Sequence, residues 1–293
     1  MYSVYARSRM MARGWSLSSF PLFFVDSLRD SARQVRANPG LAWAIVRFST
    51  VFNAALLAVL FPVYGADLAH LYLRLVAHTV LSWVGFTAWL VSNVGLIRDQ
   101  AGRTLERPGL ANYLTIARFF LIIPTVVLFS HGFRVETLVV YAALASTDVI
   151  DGMIARHRHQ RTEFGVVMDP LADVFSTAAV FAVFLAHHVI PGWLFSILMV
   201  RYGLLIVGSF ILFLATGPIQ FRATLPGKIV GVFQAIGVII IVWCLWRGAD
   251  WEETVGPVLF PLLGLFFATI IVSQLIIGYG HCRRYARLRR KAV

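Results

Sequence analysis

The chain has 293 residues, of which 59% are hydrophobic and 14% charged, and its mean hydropathy is +0.76. This composition is too apolar for a soluble globular protein of that length, so it excludes a sizeable soluble domain and predicts a polytopic membrane protein. The net charge of +12 comes from basic residues beside apolar segments, which favours anionic lipid headgroups over nucleic acid as the partner, because no nucleic-acid recognition module is present.

The N-terminal residues 1–40 are rich in arginine and lack an apolar core followed by a small-residue cleavage site. We therefore expect no removable signal peptide. Two apolar segments follow, and the polar stretch from Asp99 to Gly109 predicts a linker after them. The expected organisation is a basic N-terminus with two accessory transmembrane helices (1–107), a six-helix unit (108–282) and a basic tail (283–293).

Apolar segments of about 20 residues, the length that crosses a bilayer, recur along the whole chain. They predict transmembrane helices at 41–63, 72–96, 113–130, 136–152, 169–187, 192–215, 229–246 and 255–279. The predicted fold class is all-α, a polytopic membrane helical bundle of about eight transmembrane helices with a six-helix core.

Lysine and arginine residues are distributed unevenly between the loops. With the N-terminus inside, the inner loops and both tails hold most of the 26 basic residues, and the outer loops hold only Arg134 and Arg247. Because short cytoplasmic loops are enriched in basic residues, this pattern predicts that both termini are cytoplasmic. We expect the protein in the inner membrane of a bacterium.

Aspartates flank the short loop between the fourth and fifth predicted spans. Asp148 and Asp151 are three residues apart, and Asp169 and Asp173 are four apart, so each pair shares a helix face. A hairpin would bring the two faces together. Carboxylates at membrane depth are costly and repel one another unless a cation neutralises them. Such a set of oxygen ligands favours Mg²⁺ or Mn²⁺, and a two-ion site would clamp a pyrophosphate group.

These aspartates also have other interpretations. They could pair with loop arginines, cap helix ends, or line the ion or proton pathway of a transporter. Asp169 precedes Pro170, which predicts that Asp169 is the N-cap of the fifth span, a role compatible with metal binding. Their position at one mouth of the bundle, rather than through the depth of the bilayer, argues against a transport pathway.

The aspartates belong to a longer motif, Asp-x2-Asp-Gly-x2-Ala-Arg-x8-Gly-x3-Asp-x3-Asp, which is met without a gap. Its fixed positions are Asp148, Asp151, Gly152, Ala155, Arg156, Gly165, Asp169 and Asp173. This motif resembles the signature of the CDP-alcohol phosphatidyltransferase family. Asn112, Thr115 and Arg118 are similar to the start of that family's first catalytic helix, and the resemblance covers roughly residues 108–280.

The resemblance implies transfer of a phosphatidyl group from CDP-diacylglycerol to a small alcohol, with release of CMP. Asp148, Asp151 and Asp169 would then bind the metal ions, and Asp173 would be the general base and a further ligand. An alcohol needs such a proton acceptor to become a good nucleophile. The residues implied to contact the nucleotide and its pyrophosphate are Gly152, Ala155, Arg156, Gly165, Asn112 and Thr115. A homodimer is expected on the same ground.

Two basic residues outside the motif are predicted to bind the acceptor. Arg201 lies inside the sixth span and Lys228 opens the seventh, and a cation at membrane depth invites an anion. Together with Gln234 they resemble the branch of the family that contains phosphatidylglycerophosphate synthases and cardiolipin synthases. We therefore expect glycerol 3-phosphate as the acceptor, with Arg118 assigned to the same subsite.

Several alternatives stay open at this point. Val174, Tyr202 and Gly231 depart from residues common in that branch, which leaves the acceptor undecided. It could be phosphatidylglycerol, giving cardiolipin, or a neutral or zwitterionic alcohol such as inositol, serine or choline. From other classes, the alternatives are a cation-coupled transporter and a catalytically silent lipid-binding homologue.

Overall fold

The computed structural model describes residues 4–12, 19–64, 68–99, 102–157, 162–216, 225–248 and 251–291. These residues are almost entirely helical and contain no strand beyond one isolated bridge between Arg98 and Thr104. The helices are α1 (Val4–Ala12), α2 (Ser19–Ala37), α3 (Pro39–Tyr64), α4 (Ala69–Ser92), α5 (Leu110–Ser130), α6 (Arg134–His157), α7 (Glu163–Ala186), α8 (Gly192–Gly203), α9 (Ser209–Thr216), α10 (Leu225–Arg247), α11 (Trp251–Thr254) and α12 (Gly256–Lys291). The all-α prediction is confirmed.

Within the described residues, 7 helical segments are long and apolar enough to cross a membrane. They are Pro39–Pro62, Ala69–Ser92, Leu110–Ser130, Arg134–Ile154, Glu163–Ala186, Gly192–Leu214 and Gly256–Gly280. The remaining predicted span, 229–246, lies in α10, where Gly231–Arg247 forms a shorter apolar helix. The chain is an integral membrane protein with a helical bundle fold, as its composition predicts.

The chain divides into two compact units. The central unit is Leu28–Val183, and the terminal unit joins Met1–Ser27 to Phe184–Val293. In the central unit α5 is the core helix, because 72% of its apolar span is buried against 22% to 39% of the other candidate spans. The domain boundaries at 107/108 and 282/283 expected from the sequence stay a prediction.

Aromatic side chains pack α4 against α5 inside the central unit. The rings of Phe86 and Trp89 on α4 lie 5.3 Å and 5.4 Å from the ring of Phe119 on α5. Phe175 of α7 lies 6.2 Å from all three of these rings. The second predicted accessory helix is therefore part of the packing around the helix that carries Asn112 and Thr115.

The terminal unit has its own close contacts. A Cβ added to Gly264 of α12 would lie 2.6 Å from a ring carbon of Trp193 on α8, so a larger residue would force this ring to move. Met10 and Phe23 form a buried apolar cluster with Phe213 and Leu214 of α9. Met10 of α1 and Phe23 of α2 are thereby packed into the same unit as Arg201 and Lys228.

Candidate active site

The first two aspartates of the motif lie on α6. This helix runs to His157, beyond the span predicted to end at residue 152, so Asp148, Asp151 and Gly152 all have helical backbones. The spacing of three residues keeps both aspartates on one side of α6. The side chains of Asp148, Asp151, Ala155 and Arg156 lie outside the described part of the structure.

The second pair of aspartates lies on α7, and here one prediction is wrong. Asp169 is not an N-cap, because α7 begins at Glu163 and contains both Asp169 and Pro170. Pro170 lacks an N–H, but transmembrane helices tolerate proline when neighbouring groups compensate for the lost hydrogen bond. Asp169 and Asp173 therefore sit on consecutive turns of a continuous helix, four residues apart on one face.

Thr162 is the residue that starts α7. Its hydroxyl accepts a hydrogen bond from the Gly165 N–H at 3.1 Å, and its carbonyl accepts the Val166 N–H at 3.2 Å, which is N-cap geometry. The Arg98 carbonyl accepts the Glu163 N–H at 3.1 Å. These contacts satisfy donors that a helix start leaves unpaired. Sequence reasoning missed Thr162, although a threonine before an apolar segment with a glutamate, Glu163, in the first turn is a signal for a helix start.

Two side-chain hydrogen bonds tie α5 to the start of α7. The Thr115 hydroxyl donates to Asp169 Oδ1 at 2.7 Å, and the Thr162 hydroxyl donates to Asn112 Oδ1 at 2.8 Å. Asn112, Thr115 and Thr162 are all buried. The structure therefore brings together Asn112, Thr115 and Asp169, which the sequence had assigned to one site from two separate segments.

Gly165 lies beside this group of oxygen atoms and has no side chain to cover them. A Cβ at Gly165 would lie 3.5 Å from Asp169 Oδ2, 3.6 Å from Thr162 Oγ1 and 3.7 Å from Asn112 Oδ1. These are ordinary contact distances, so alanine would fit, but its methyl group would cover the oxygens. Glycine leaves the space beside these atoms free of a side chain.

Arg118 connects α5 to α6 next to the first aspartate. It is 1% exposed, and its Nε donates to Thr147 Oγ1 at 3.4 Å. The Thr147 and Ser146 hydroxyls donate to the carbonyls of Leu144 and Ala143 in their own helix. These hydroxyls therefore make the local contacts common for serine and threonine in helices. The hydrogen bond to Thr147 places the Arg118 guanidinium beside the residue that precedes Asp148 in the sequence.

The oxygen atoms in this region are suitable ligands for a divalent metal ion. The atoms nearest a Cβ at Gly165 are oxygens, and Asp169 and Asp173 share one face of α7, which suits a hard cation such as Mg²⁺ or Mn²⁺. Among the described residues no three histidine, cysteine, aspartate or glutamate side chains come together. The other two predicted ligands, Asp148 and Asp151, have side chains outside that description.

Two of the three predicted acceptor residues, Arg201 and Lys228, lie in the terminal unit, whereas Arg118 lies in the central unit. Arg201 is on α8, 7% exposed, and its Nη1 donates to Gln234 Oε1 of α10 at 2.9 Å. A π-helical turn, Leu204–Gly208, follows Arg201 within the same apolar span, and such turns are frequent at functional sites. Lys228 has a helical backbone in the first turn of α10, and its side chain lies outside the described part.

Comparison with known proteins gives a consistent result. Residues 109–275, more than half of the chain, match the family model described as CDP-alcohol phosphatidyltransferase. A protein of Salmonella choleraesuis named CDP-diacylglycerol–glycerol-3-phosphate 3-phosphatidyltransferase is 29% identical over 172 residues, which cover 57% of this chain and 90% of the relative. A protein of the same name from Pseudomonas fluorescens is 32% identical over 80 residues, covering 26% and 41%. No solved structure matches the chain.

Proposed function

The chain belongs to the CDP-alcohol phosphatidyltransferase family and is an enzyme of phospholipid biosynthesis, and from this premise we propose that it transfers a phosphatidyl group from CDP-diacylglycerol to glycerol 3-phosphate. CMP is the second product. The curated relatives carry names that state this donor and this acceptor. The buried cation Arg201 supports an acceptor that carries phosphate.

The observation that carries the proposal is the hydrogen bond from Thr115 to Asp169. It joins α5 to the motif across 54 residues of sequence at 2.7 Å. The two sequence segments that resemble the family therefore meet at one part-buried hydrogen bond, which supports a shared site. A single hydrogen bond from a threonine would also stabilise an aspartate with a purely structural role in a membrane helix. Such a role would not require a glycine at position 165, beside the oxygen atoms of Asp169 and its neighbours.

We assign the residue roles as follows. Asp148, Asp151, Asp169 and Asp173 hold metal, and Asp173 is also the general base. The nucleotide and its pyrophosphate contact Asn112, Thr115, Gly152, Ala155, Arg156 and Gly165. Arg118, Arg201 and Lys228 bind the acceptor.

Members of this family generally depend on a divalent metal ion. We propose that the aspartates hold two such ions, Mg²⁺ or Mn²⁺, because four carboxylates supply many oxygen ligands of the kind these ions prefer. When bound, the metal neutralises the negative charge of the pyrophosphate and of the leaving CMP.

The proposed reaction is a substitution at the phosphorus atom that carries the diacylglycerol group. The acceptor hydroxyl forms a new phosphorus–oxygen bond, its proton passes to the Asp173 carboxylate, and the bond to the CMP oxygen breaks. The Arg156 guanidinium provides a planar pair of donors for phosphate oxygens. Thr115 fixes the Asp169 carboxylate, which lowers the entropy lost when ligands bind.

We also propose how the enzyme is oriented in the membrane. We place both termini and the active site on the cytoplasmic side of a bacterial inner membrane, supported by the excess of basic residues in the inner loops. The lipid tails of the donor stay in the bilayer while the headgroup reacts. We also propose a homodimer, on the family resemblance alone.

The proposal is tested with purified protein, CDP-diacylglycerol and Mg²⁺ or Mn²⁺, by measuring CMP release with a panel of acceptors. We expect metal-dependent release with glycerol 3-phosphate. Asp173→Asn should lose turnover by a factor of about 100 or more, as removal of a general base does, while CDP-diacylglycerol still binds.

The matched control is Glu163→Gln, which changes an exposed carboxylate in the first turn of the same helix and should leave the rate unchanged. Release of CMP only with phosphatidylglycerol, or only with inositol, serine or choline, would replace the proposed acceptor. No CMP with any acceptor, together with cation uptake into vesicles, would assign the chain to transport.

A further inference from the structure

Gln234 and Arg201 form a buried polar pair inside the terminal unit. Arg201 Nη1 donates to Gln234 Oε1 at 2.9 Å, and the Tyr202 hydroxyl approaches the same oxygen at 3.5 Å. Arg201, Tyr202 and Gln234 are 7%, 3% and 3% exposed. One amide oxygen on α10 therefore orients the guanidinium that α8 carries.

The partners of Arg201 are neutral. Its guanidinium carbon lies 5.0 Å from the Tyr202 ring centroid and 5.5 Å from the Phe267 ring centroid. No carboxylate of a described residue lies within ion-pair distance of Arg201. An amide and aromatic rings stabilise a cation without cancelling its charge. A buried cation that keeps its full charge is costly unless an anion binds it.

A guanidinium has five N–H donors, and the bond to Gln234 uses one of them. A glutamate at position 234 would have nearly the same shape and would hold Arg201 more strongly, but it would neutralise the cation. A glutamine therefore combines two properties: it fixes the side chain, and it leaves the charge for a ligand.

We propose that Gln234 is a positioning residue for acceptor selection, which holds Arg201 through a neutral hydrogen bond so that the guanidinium binds the phosphate of the acceptor. This inference rests on the proposed function for the identity of the acceptor. It differs from a packing role, in which the bond would only join α8 to α10 as interhelical hydrogen bonds do in membranes.

The test compares two variants at one position. Gln234→Glu keeps the shape and the hydrogen bond but neutralises Arg201, whereas Gln234→Met keeps the approximate volume and removes the acceptor atom. We expect Gln234→Glu to raise the KM for glycerol 3-phosphate by about tenfold or more, the loss typical of one charged hydrogen bond. The KM for CDP-diacylglycerol and the Tm should stay near those of the parent chain. Gln234→Met should raise the acceptor KM less.

The opposite order of effects would overturn the inference. If Gln234 only joins the helices, Gln234→Glu behaves like the parent chain, and Gln234→Met lowers the Tm and affects both substrates equally. Arg201→Lys is the second comparison, since lysine keeps the charge but loses the fork of donors. It should raise the acceptor KM and leave that for CDP-diacylglycerol unchanged, and equal effects on both would contradict the inference.

A binding measurement separates this inference from the proposed function. Glycerol 3-phosphate or inorganic phosphate, without CDP-diacylglycerol, should raise the Tm of the parent chain and not that of Gln234→Glu. If the parent chain shows this difference but releases no CMP, the inference holds and the proposed function fails. If it releases CMP but phosphate protects both proteins equally or neither, the proposed function holds and the inference is wrong.

Discussion

Asn112 is oriented by its neighbour Thr162. The Thr162 hydroxyl donates to Asn112 Oδ1, which fixes that atom as the amide oxygen and places the amide nitrogen on the other side. The Asn112 Nδ2 atom is buried and has no hydrogen-bond partner among the described residues. A buried donor left unpaired costs about 1–3 kcal/mol. We therefore expect this donor to be satisfied by the nucleotide or its pyrophosphate.

Replacing Thr162 tests the role of the orientation of Asn112. Thr162→Val keeps the shape of the side chain but removes both the N-cap of α7 and the bond to Asn112. The loss of an N-cap costs about 1 kcal/mol, and the free amide of Asn112 would lose its orientation. We expect kcat/KM for CMP release to fall by about tenfold, and Thr162→Ser to restore most of it.

The control for this prediction is Thr137→Val. Thr137 is equally buried and lies in the first turn of α6, at the other end of that helix from the aspartates. Among the described residues, its hydroxyl bonds only to the Phe133 carbonyl one turn earlier. If both variants lowered the rate to the same extent, a general loss of folding would explain the result better than the orientation of Asn112.

Helix α5 is the element around which the other helices of the central unit pack. Its polar residues Asn112, Thr115 and Arg118 lie in its first half, and the rest of the helix is almost entirely apolar. The structure buries it on most sides, with Phe119 and Phe120 fully buried. This is the pattern of a helix enclosed by other helices rather than by lipid. The start of α5, which carries Asn112 and Thr115, is thereby held in place.

The prediction for this element is a loss of stability in Phe119→Ala. The ring of Phe119 contacts rings on α4 and α7, so its removal leaves a cavity in the unit. Core Phe→Ala changes cost about 3–5 kcal/mol, and we expect a clear decrease in the Tm of the detergent-solubilised protein. Leu81→Ala is the control, because Leu81 on α4 is 74% exposed and faces away from the packing. Equal decreases in the two variants would contradict this account.

At the scale of the whole molecule, the basic residues predict the orientation in the membrane. The chain has two cysteines, of which Cys244 is buried and Cys282, near the C-terminal end of α12, is exposed. A maleimide that cannot cross membranes should therefore label Cys282 only from the cytoplasmic side. We expect labelling in inverted vesicles, none in intact cells, and loss of the signal in Cys282→Ser. Labelling of intact cells at Cys282 would reverse the proposed topology.

Much of this protein follows from the sequence because the responsible signals are local. A hydrophobic segment of about 20 residues has few options other than to cross a bilayer as a helix, so the composition predicts the fold class. The spacing of Asp169 and Asp173 predicts a shared helix face, which α7 confirms. The motif around them predicts the family, which the match over residues 109–275 confirms.

The remaining features depend on contacts between residues far apart in the chain. The sequence predicted Asp169 as an N-cap because Asp-Pro is a local start signal, but the helix starts at Glu163 because Thr162 and the Arg98 carbonyl satisfy its first N–H groups. The pairs Thr115–Asp169 and Arg201–Gln234 are separated by 54 and 33 residues. Hydrophobic segments specify that helices form but not which faces meet, because lipid is as apolar as the side chains, so the partners of these polar groups are decided by tertiary packing.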